Sequence, residues 1–242
     1  MKVYFYLFLA LTSLNAQTPN LPKNSPISVL SSIETVNIEN SNEIATFDPR
    51  WVDSLSLSLP CYGVPVPKRI MRLPNAPRNY RNGTHRGLDF FANWGTPVRS
   101  VADGVVVRSD LHYEEVPADF RENLLKATTK VGYTPSDIFN NVLLGKSVFL
   151  DHGFDLIPGF RTISIYAHLS YIEREIVPGA VVKRGELLGK SGNTGMREST
   201  IGSKQGSHLH WEMILQKGEQ ELYLGKGMSN PELYDMLFRI FN

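Results

Sequence analysis

Cysteine is almost absent: Cys61 is the only one among 242 residues, so no intramolecular disulfide can staple this chain. Its stability has to come from a packed core. Net charge is scarce too, with 25 Lys and Arg against 24 Asp and Glu, a formal +1. No dense basic run occurs, and that balance gives no footing for a nucleic-acid partner. Internal repeats and low-complexity tracts are missing. After the first residues no apolar run approaches the roughly 20 residues a bilayer-spanning helix needs. What remains, 42% apolar and 20% charged, is ordinary for a globular protein with one well-packed domain and extensions.

The opening stretch, "MKVYFYLFLALTSLNAQ", reads as a secretory signal peptide over residues 1–16. Lys2 supplies the charged start, Val3 to Leu11 the apolar centre, and Ala16 the last residue removed. Leu14 is larger than the usual residue before such a cleavage site, which keeps an uncleaved anchor open as the alternative. No cysteine stands directly after the apolar centre, so a lipid anchor is not expected. The expectation is an exported chain, periplasmic or extracellular, monomeric and without membrane contact once the leader is gone. Residues 17–50, rich in Asn, Ser, Pro and Thr, read as a linker or pro-region.

One domain is expected over residues 51–242. Short β-type runs such as "GTPVRSVADGVVVRSD", "KSVFLDHG", "TISIYAHLS" and "HLHWEMIL" alternate there with Gly/Pro punctuation. They predict a mainly β fold, an antiparallel β-sandwich or barrel-like core. Residues 109–145 break the rhythm. Phe120, Leu124, Leu125 and Val131 suit a helix after Pro117, and Thr134 followed by Pro135 reads as the cap of a second, short helix. This helical insertion is expected to decorate one edge of the β domain, since loops tolerate insertion cheaply. A short C-terminal helix, Pro231 to Phe241, is expected to follow Asn230 as its cap. Gly95, Gly104, Gly185, Gly189, Gly192 and Gly195 fall at expected turns. Cys61, in the Pro-rich "SLPCYGVPVP", reads as a small buried hydrophobe.

Chemistry concentrates in the six histidines. In "GSHLHWEMIL", His208 and His210 are two apart, so on a strand they share one face. Two adjacent imidazoles suit a metal, which binds a deprotonated ring nitrogen, or a half-buried pair on a sheet surface. His85, with Asp89 four residues later, supplies partners for the first reading. Zinc in hydrolytic sites takes three protein ligands and keeps a fourth position open. His85, Asp89 and one of His208 or His210 meet that count, which leaves the other histidine and His168 free for proton transfer.

"GTHRGLDF", "YAHLS" and "GSHLHWE", in this order, resemble the lysostaphin-type zinc endopeptidases that cut peptidoglycan peptides. The resemblance runs from about Val64 to Tyr234 and takes in "WGTPVRSVADGVVV", "VVKRGELLGKSGNTG" and "NPELY". It implies that His85, Asp89 and His210 bind Zn2+, with His208 as general base and His168 steadying the tetrahedral intermediate. All five positions carry the expected residue, whereas some relatives have lost ligands and only activate other hydrolases. His152 implies a structural hydrogen bond, and His112 a surface position. The insertion is the departure from the pattern.

Two other readings compete. A non-hydrolytic cell-wall binding module would not need five intact polar positions. A lipoyl- or biotinyl-type carrier would need a modifiable lysine at a hairpin tip, and none is present. Residues 17–50 are also long enough to cross the cleft and occupy the open zinc position.

Overall fold

The computed structural model describes residues 46–241. The leader expectation at 1–16, and all but the last residues of the 17–50 segment, lie outside the described residues.

Twelve short strands carry the domain: β1 (Pro77–Arg78), β2 (Gly83–Thr84), β3 (Leu88–Phe90), β4 (Pro97–Arg99), β5 (Gly104–Ser109) and β6 (Val148–Asp151). They continue as β7 (Arg161–Ala167), β8 (Leu169–Ile172), β9 (Val181–Val182), β10 (Leu187–Ser191), β11 (Leu209–Lys217) and β12 (Gln220–Tyr223). Every pairing is antiparallel. The large sheet runs β12-β11-β7-β6-β5-β9, with β3 also on β11; a second sheet runs β4-β10-β8, and β1 pairs β2 alone. The fold is mainly β, as the alternating short runs predict.

Alternation along the strands sorts residues onto two faces. On β11, Leu209, Trp211, Met213 and Leu215 enter the main core with Tyr166, Leu150 and Leu188. Each fully buried side chain of this size contributes on the order of 1.5–3 kcal/mol. The intervening residues, His210, Glu212 and Ile214, face the other way. There Ile214 joins a smaller cluster with Phe149, Ile163 and Ile165, capped by Phe139, Leu143 and Leu144 of the insertion. Polar site residues and apolar insertion residues therefore share one face of the large sheet. A C-terminal helix over Glu232–Ile240 closes the main core with Leu233, Met236, Leu237 and Ile240, the i, i+3, i+4, i+7 stripe of an amphipathic helix.

Several local expectations need correction. Helix α1 (Ala118–Val131) forms where predicted, but Phe120 and Val131 are 50% and 58% exposed, while Arg121 and Thr128 are its buried members. The helix turns its polar residues inward because it roofs a polar cleft. Thr134 caps nothing; its hydroxyl donates to the Arg81 carbonyl, and Pro135 precedes the turn Ser136–Ile138, which runs on into Phe139–Leu143. At the C-terminal helix the cap position is Pro231, not Asn230. Gly189 lies inside β10, Gly104 opens β5 and Gly192 pairs with His208, none of them at a turn; a Cβ at Gly189 would meet the Tyr171 carbonyl oxygen at 2.1 Å.

Candidate metal centre and active-site cleft

Strand register assembles the centre. Asp89 on β3 stands opposite His210 on β11, and on the other side His210 stands opposite Ala167, the residue before His168. His85 reaches the same point because the chain between it and Asp89 presses onto β11. A Cβ at Gly87 would meet the Trp211 carbonyl oxygen at 2.2 Å, so only glycine permits that approach.

Three atoms converge. His85 Nε2 lies 2.9 Å from Asp89 Oδ1, His210 Nδ1 lies 2.8 Å from the same oxygen, and the two nitrogens are 3.0 Å apart. The tautomers follow from the far side of each ring. His85 Nδ1–H donates to the Leu73 carbonyl at 2.8 Å, which leaves Nε2 with its lone pair. His210 Nε2–H donates to the Glu212 carboxylate at 2.7 Å, which leaves Nδ1 with its own. Glu212 is buried, yet Arg86 at 3.0 Å and His210 outweigh that burial and hold its carboxyl down to about 2. Two imidazole lone pairs and one carboxylate oxygen thus face one point with no hydrogen atom to separate them. That donor set fits a divalent cation of the zinc type, and the anchors behind each ring are what a metal-binding histidine requires.

Without an ion, a proton takes that place. Burial pulls the His210 imidazole down, but hydrogen bonds to Asp89 and Glu212 prevail and push it up to about 9. Asp89 is held well below the usual carboxylate range: burial opposes ionisation, but His85 and His208 outweigh it. Arg78 Nη2–H donates to Asp89 Oδ2 at 3.0 Å, fixing the carboxylate from its outer side.

Two further imidazoles flank the trio. His208 Nδ1–H donates to the Gly206 carbonyl at 2.7 Å, and its Nε2 stands 3.5 Å from Asp89 Oδ1. His168 Nδ1–H donates to the Thr194 carbonyl at 2.8 Å, and the His168 and His208 rings lie 4.9 Å apart, centre to centre. In each ring Nδ1 is engaged in this way, which leaves Nε2 as the atom for proton transfer. Burial, then the neighbouring His208 and His210, holds His168 well below its ordinary value, so it is neutral at pH 7. A neutral His168 of this tautomer accepts hydrogen bonds and cannot donate one from Nε2. Its backbone φ of 60° is unusual for a residue other than glycine, and its N–H is tied to the Leu144 carbonyl at 2.9 Å.

Over residues 83–222, well over half of the chain, the sequence matches Peptidase family M23. The chain belongs to peptidase family M23, a family of metallopeptidases. A metalloprotease of Haemophilus influenzae, itself uncharacterised, is 31% identical over 128 residues, 53% of this chain and 18% of that protein. The chain thus spans under a fifth of that relative's length. Among solved structures, a zinc-containing peptidase from Vibrio cholerae is 21% identical, with 71% of this chain and 41% of that chain covered and a TM-score of 0.39. The catalytic domain of the antimicrobial peptidase lysostaphin from Staphylococcus simulans is also 21% identical, with 77% and 98% covered and a TM-score of 0.36.

The M23 centre opens into a cleft of about 460 Å³. Here the insertion departs from its expected role as decoration. Arg121, Leu125, Phe139 and Leu143 line the cleft directly, and Leu144 supplies the carbonyl that holds His168. A loop over a bare sheet face would have been solvated; this one has Phe139 and Leu143 to bury, so it packs down as a wall.

His152 and His112 stand apart from the centre. His152 bridges the Asp103 carbonyl at 2.6 Å and the Ser164 hydroxyl at 2.7 Å, which is a structural role, and His112 is exposed. Cys61 is fully buried, and desolvation pushes its thiol up to about 12. Glu212, Arg86, Arg78 and Arg121 were not among the residues the sequence singled out. Only Glu212 was within reach, because it extends the two-residue spacing of His208 and His210 on the same strand face.

Proposed function

We propose that this M23 chain is an exported zinc endopeptidase that hydrolyses peptide bonds of peptidoglycan stem peptides or cross-bridges. The observation that carries the proposal is the single point on which His85, Asp89 and His210 converge, with two imidazole acceptors beside it. The likeness of "GTHRGLDF", "YAHLS" and "GSHLHWE" to lysostaphin-type enzymes supports the substrate class, and the apolar leader supports export.

In this reading His85, Asp89 and His210 hold the ion, and Glu212 and Leu73 lock the two imidazoles in the ligating tautomer. Zinc bound there supplies Lewis acidity toward water and toward a carbonyl oxygen. His208, held through Nδ1–H by the Gly206 carbonyl, accepts at Nε2 the proton of the attacking water. His168 presents a second acceptor and becomes a donor only after gaining a proton. With the His208 ring 4.9 Å away as the source of that proton, it steadies the negative charge of the tetrahedral intermediate once the proton drawn from the water has passed to it. The insertion wall limits water on that side of the cleft.

The test is mass spectrometry of muropeptides released from purified peptidoglycan by the zinc-loaded protein. New peptide amino termini, lost on chelation and restored by one equivalent of zinc, are expected. No new termini, or cleavage indifferent to chelator, would contradict the proposal and leave a wall-binding role.

A further inference from the structure

The cleft carries more positive charge than its own acids can match. Arg78 is committed to Asp89, and Arg197 faces Glu122 at 3.7 Å. That leaves Arg81 and Arg121 against the half-buried Glu198. Both arginines are more than nine-tenths buried, at 6% and 8% exposure. The Arg81 guanidinium donates to the Thr84 carbonyl at 2.6 Å and stacks over the Phe139 ring at 4.8 Å. Arg121 donates through Nε to the Gly195 carbonyl at 2.9 Å, which leaves its terminal nitrogens without a hydrogen-bond partner among the described residues. The acid tied to the same loop, Glu115, is occupied by the Gly195 N–H and the Tyr113 hydroxyl, both at 2.9 Å.

Arg121 is held through Nε while its guanidinium keeps its terminal nitrogens at the solvent of the cleft, none of them being a buried unpartnered atom. Its planar pair of donors matches a carboxylate. The Gly195 carbonyl that anchors Arg121 is one peptide unit from the Thr194 carbonyl that orients His168. Arg121 and His168 line the same cleft as the three converging side chains, so a group bound by Arg121 shares that cleft with the reacting bond.

We propose that Arg121 is a specificity-determining residue that takes a free carboxylate of an acidic peptide substrate beside the scissile bond, with the buried Arg81 adding positive charge to the same cleft. This rests on the peptidase reading above. It makes the insertion the element that selects the substrate.

The experiment uses two muropeptides that are identical except that the carboxylate next to the cleaved bond is free in one and amidated in the other. The zinc-loaded wild type is expected to cleave the free acid with kcat/KM at least about tenfold higher, the size of one charge-assisted hydrogen bond. Arg121→Gln should abolish that preference, so that the two peptides are cleaved with equal kcat/KM, while Arg121→Lys keeps part of the preference. Zinc content and thermal unfolding of both variants check folding. Equal wild-type rates on the two peptides, or a preference that survives in Arg121→Gln, would overturn the inference. Calorimetric binding of both peptides to His208→Ala separates it from the peptidase reading. Tighter binding of the acid with no turnover by the wild type sinks only the catalytic reading, whereas equal affinities sink the role of Arg121.

Discussion

Glu212→Gln isolates the link between a buried anchor and a metal ligand. Glu212 is fully buried, with Oε1 at 2.7 Å from His210 Nε2 and Oε2 at 3.0 Å from Arg86 Nη2. Glutamine fills the same space and can still accept from His210 through its one oxygen. Its NH2 group then faces the Arg86 guanidinium, donor against donor, and the charge that fixes the His210 tautomer is gone. Loss of such an anchor behind a ligand lowers metal affinity roughly 10- to 100-fold, or about 1.4–2.7 kcal/mol. Folding suffers as well. Breaking a buried pair costs about 3–5 kcal/mol, but the Arg86 side chain is 28% exposed, so solvent screening brings the expected cost to about 1–3 kcal/mol. The assay is competition for zinc against a chelator of known affinity, alongside thermal unfolding of the metal-free protein. A folded Glu212→Gln protein that binds zinc within twofold of the wild type would refute the reasoning.

Three further outcomes are expected. A methyl group at Gly145, where φ is +63°, would meet the Thr194 carbonyl carbon and oxygen at 2.3 Å; Gly145→Ala should lower stability by about 2–4 kcal/mol and displace the anchor of His168, as read by chemical denaturation and by turnover. His152→Ala removes one buried and one partly buried hydrogen bond outside the cleft lining, so denaturation should show a loss of about 1–3 kcal/mol while zinc affinity stays at the wild-type value. Cys61 should not react with a thiol reagent at pH 8 in the native protein and should titrate one equivalent once unfolded. Because its folded pKa is raised from 9.0 to about 12, its contribution to stability is complete below pH 9 and is lost as pH rises toward 12, which alkaline unfolding curves would register.

The parts of the site that obey a local period were legible in the sequence. His208 and His210 are two apart on one strand face, and "HRGLD" brings His85 and Asp89 within one short turn of chain. The β class followed from alternating runs with Gly/Pro breaks. What escaped depends on register and on long-range contact. Asp89 and His210, 121 residues apart, were joined only through the family resemblance, and Arg121 reaches Gly195 across 74 residues that no window of sequence spans. The insertion shows the same limit. Its apolar spacing located helix α1, but Phe120 and Val131 stay exposed because the helix packs Arg121 toward a polar cleft that does not exist until the rest of the chain has folded. Glu212 is different: the two-residue rule that paired the histidines reaches it, and one more step along the strand would have found the anchor.

The whole account depends on one ion held by three side chains from two distant parts of the chain, His85 with Asp89 and His210. Anomalous diffraction at the zinc edge from crystals of the zinc-loaded protein tests this most directly. It should place a single peak about 2.0–2.2 Å from His85 Nε2, His210 Nδ1 and an Asp89 oxygen. A peak bound elsewhere, or a saturated crystal with no peak between these three residues, would contradict it.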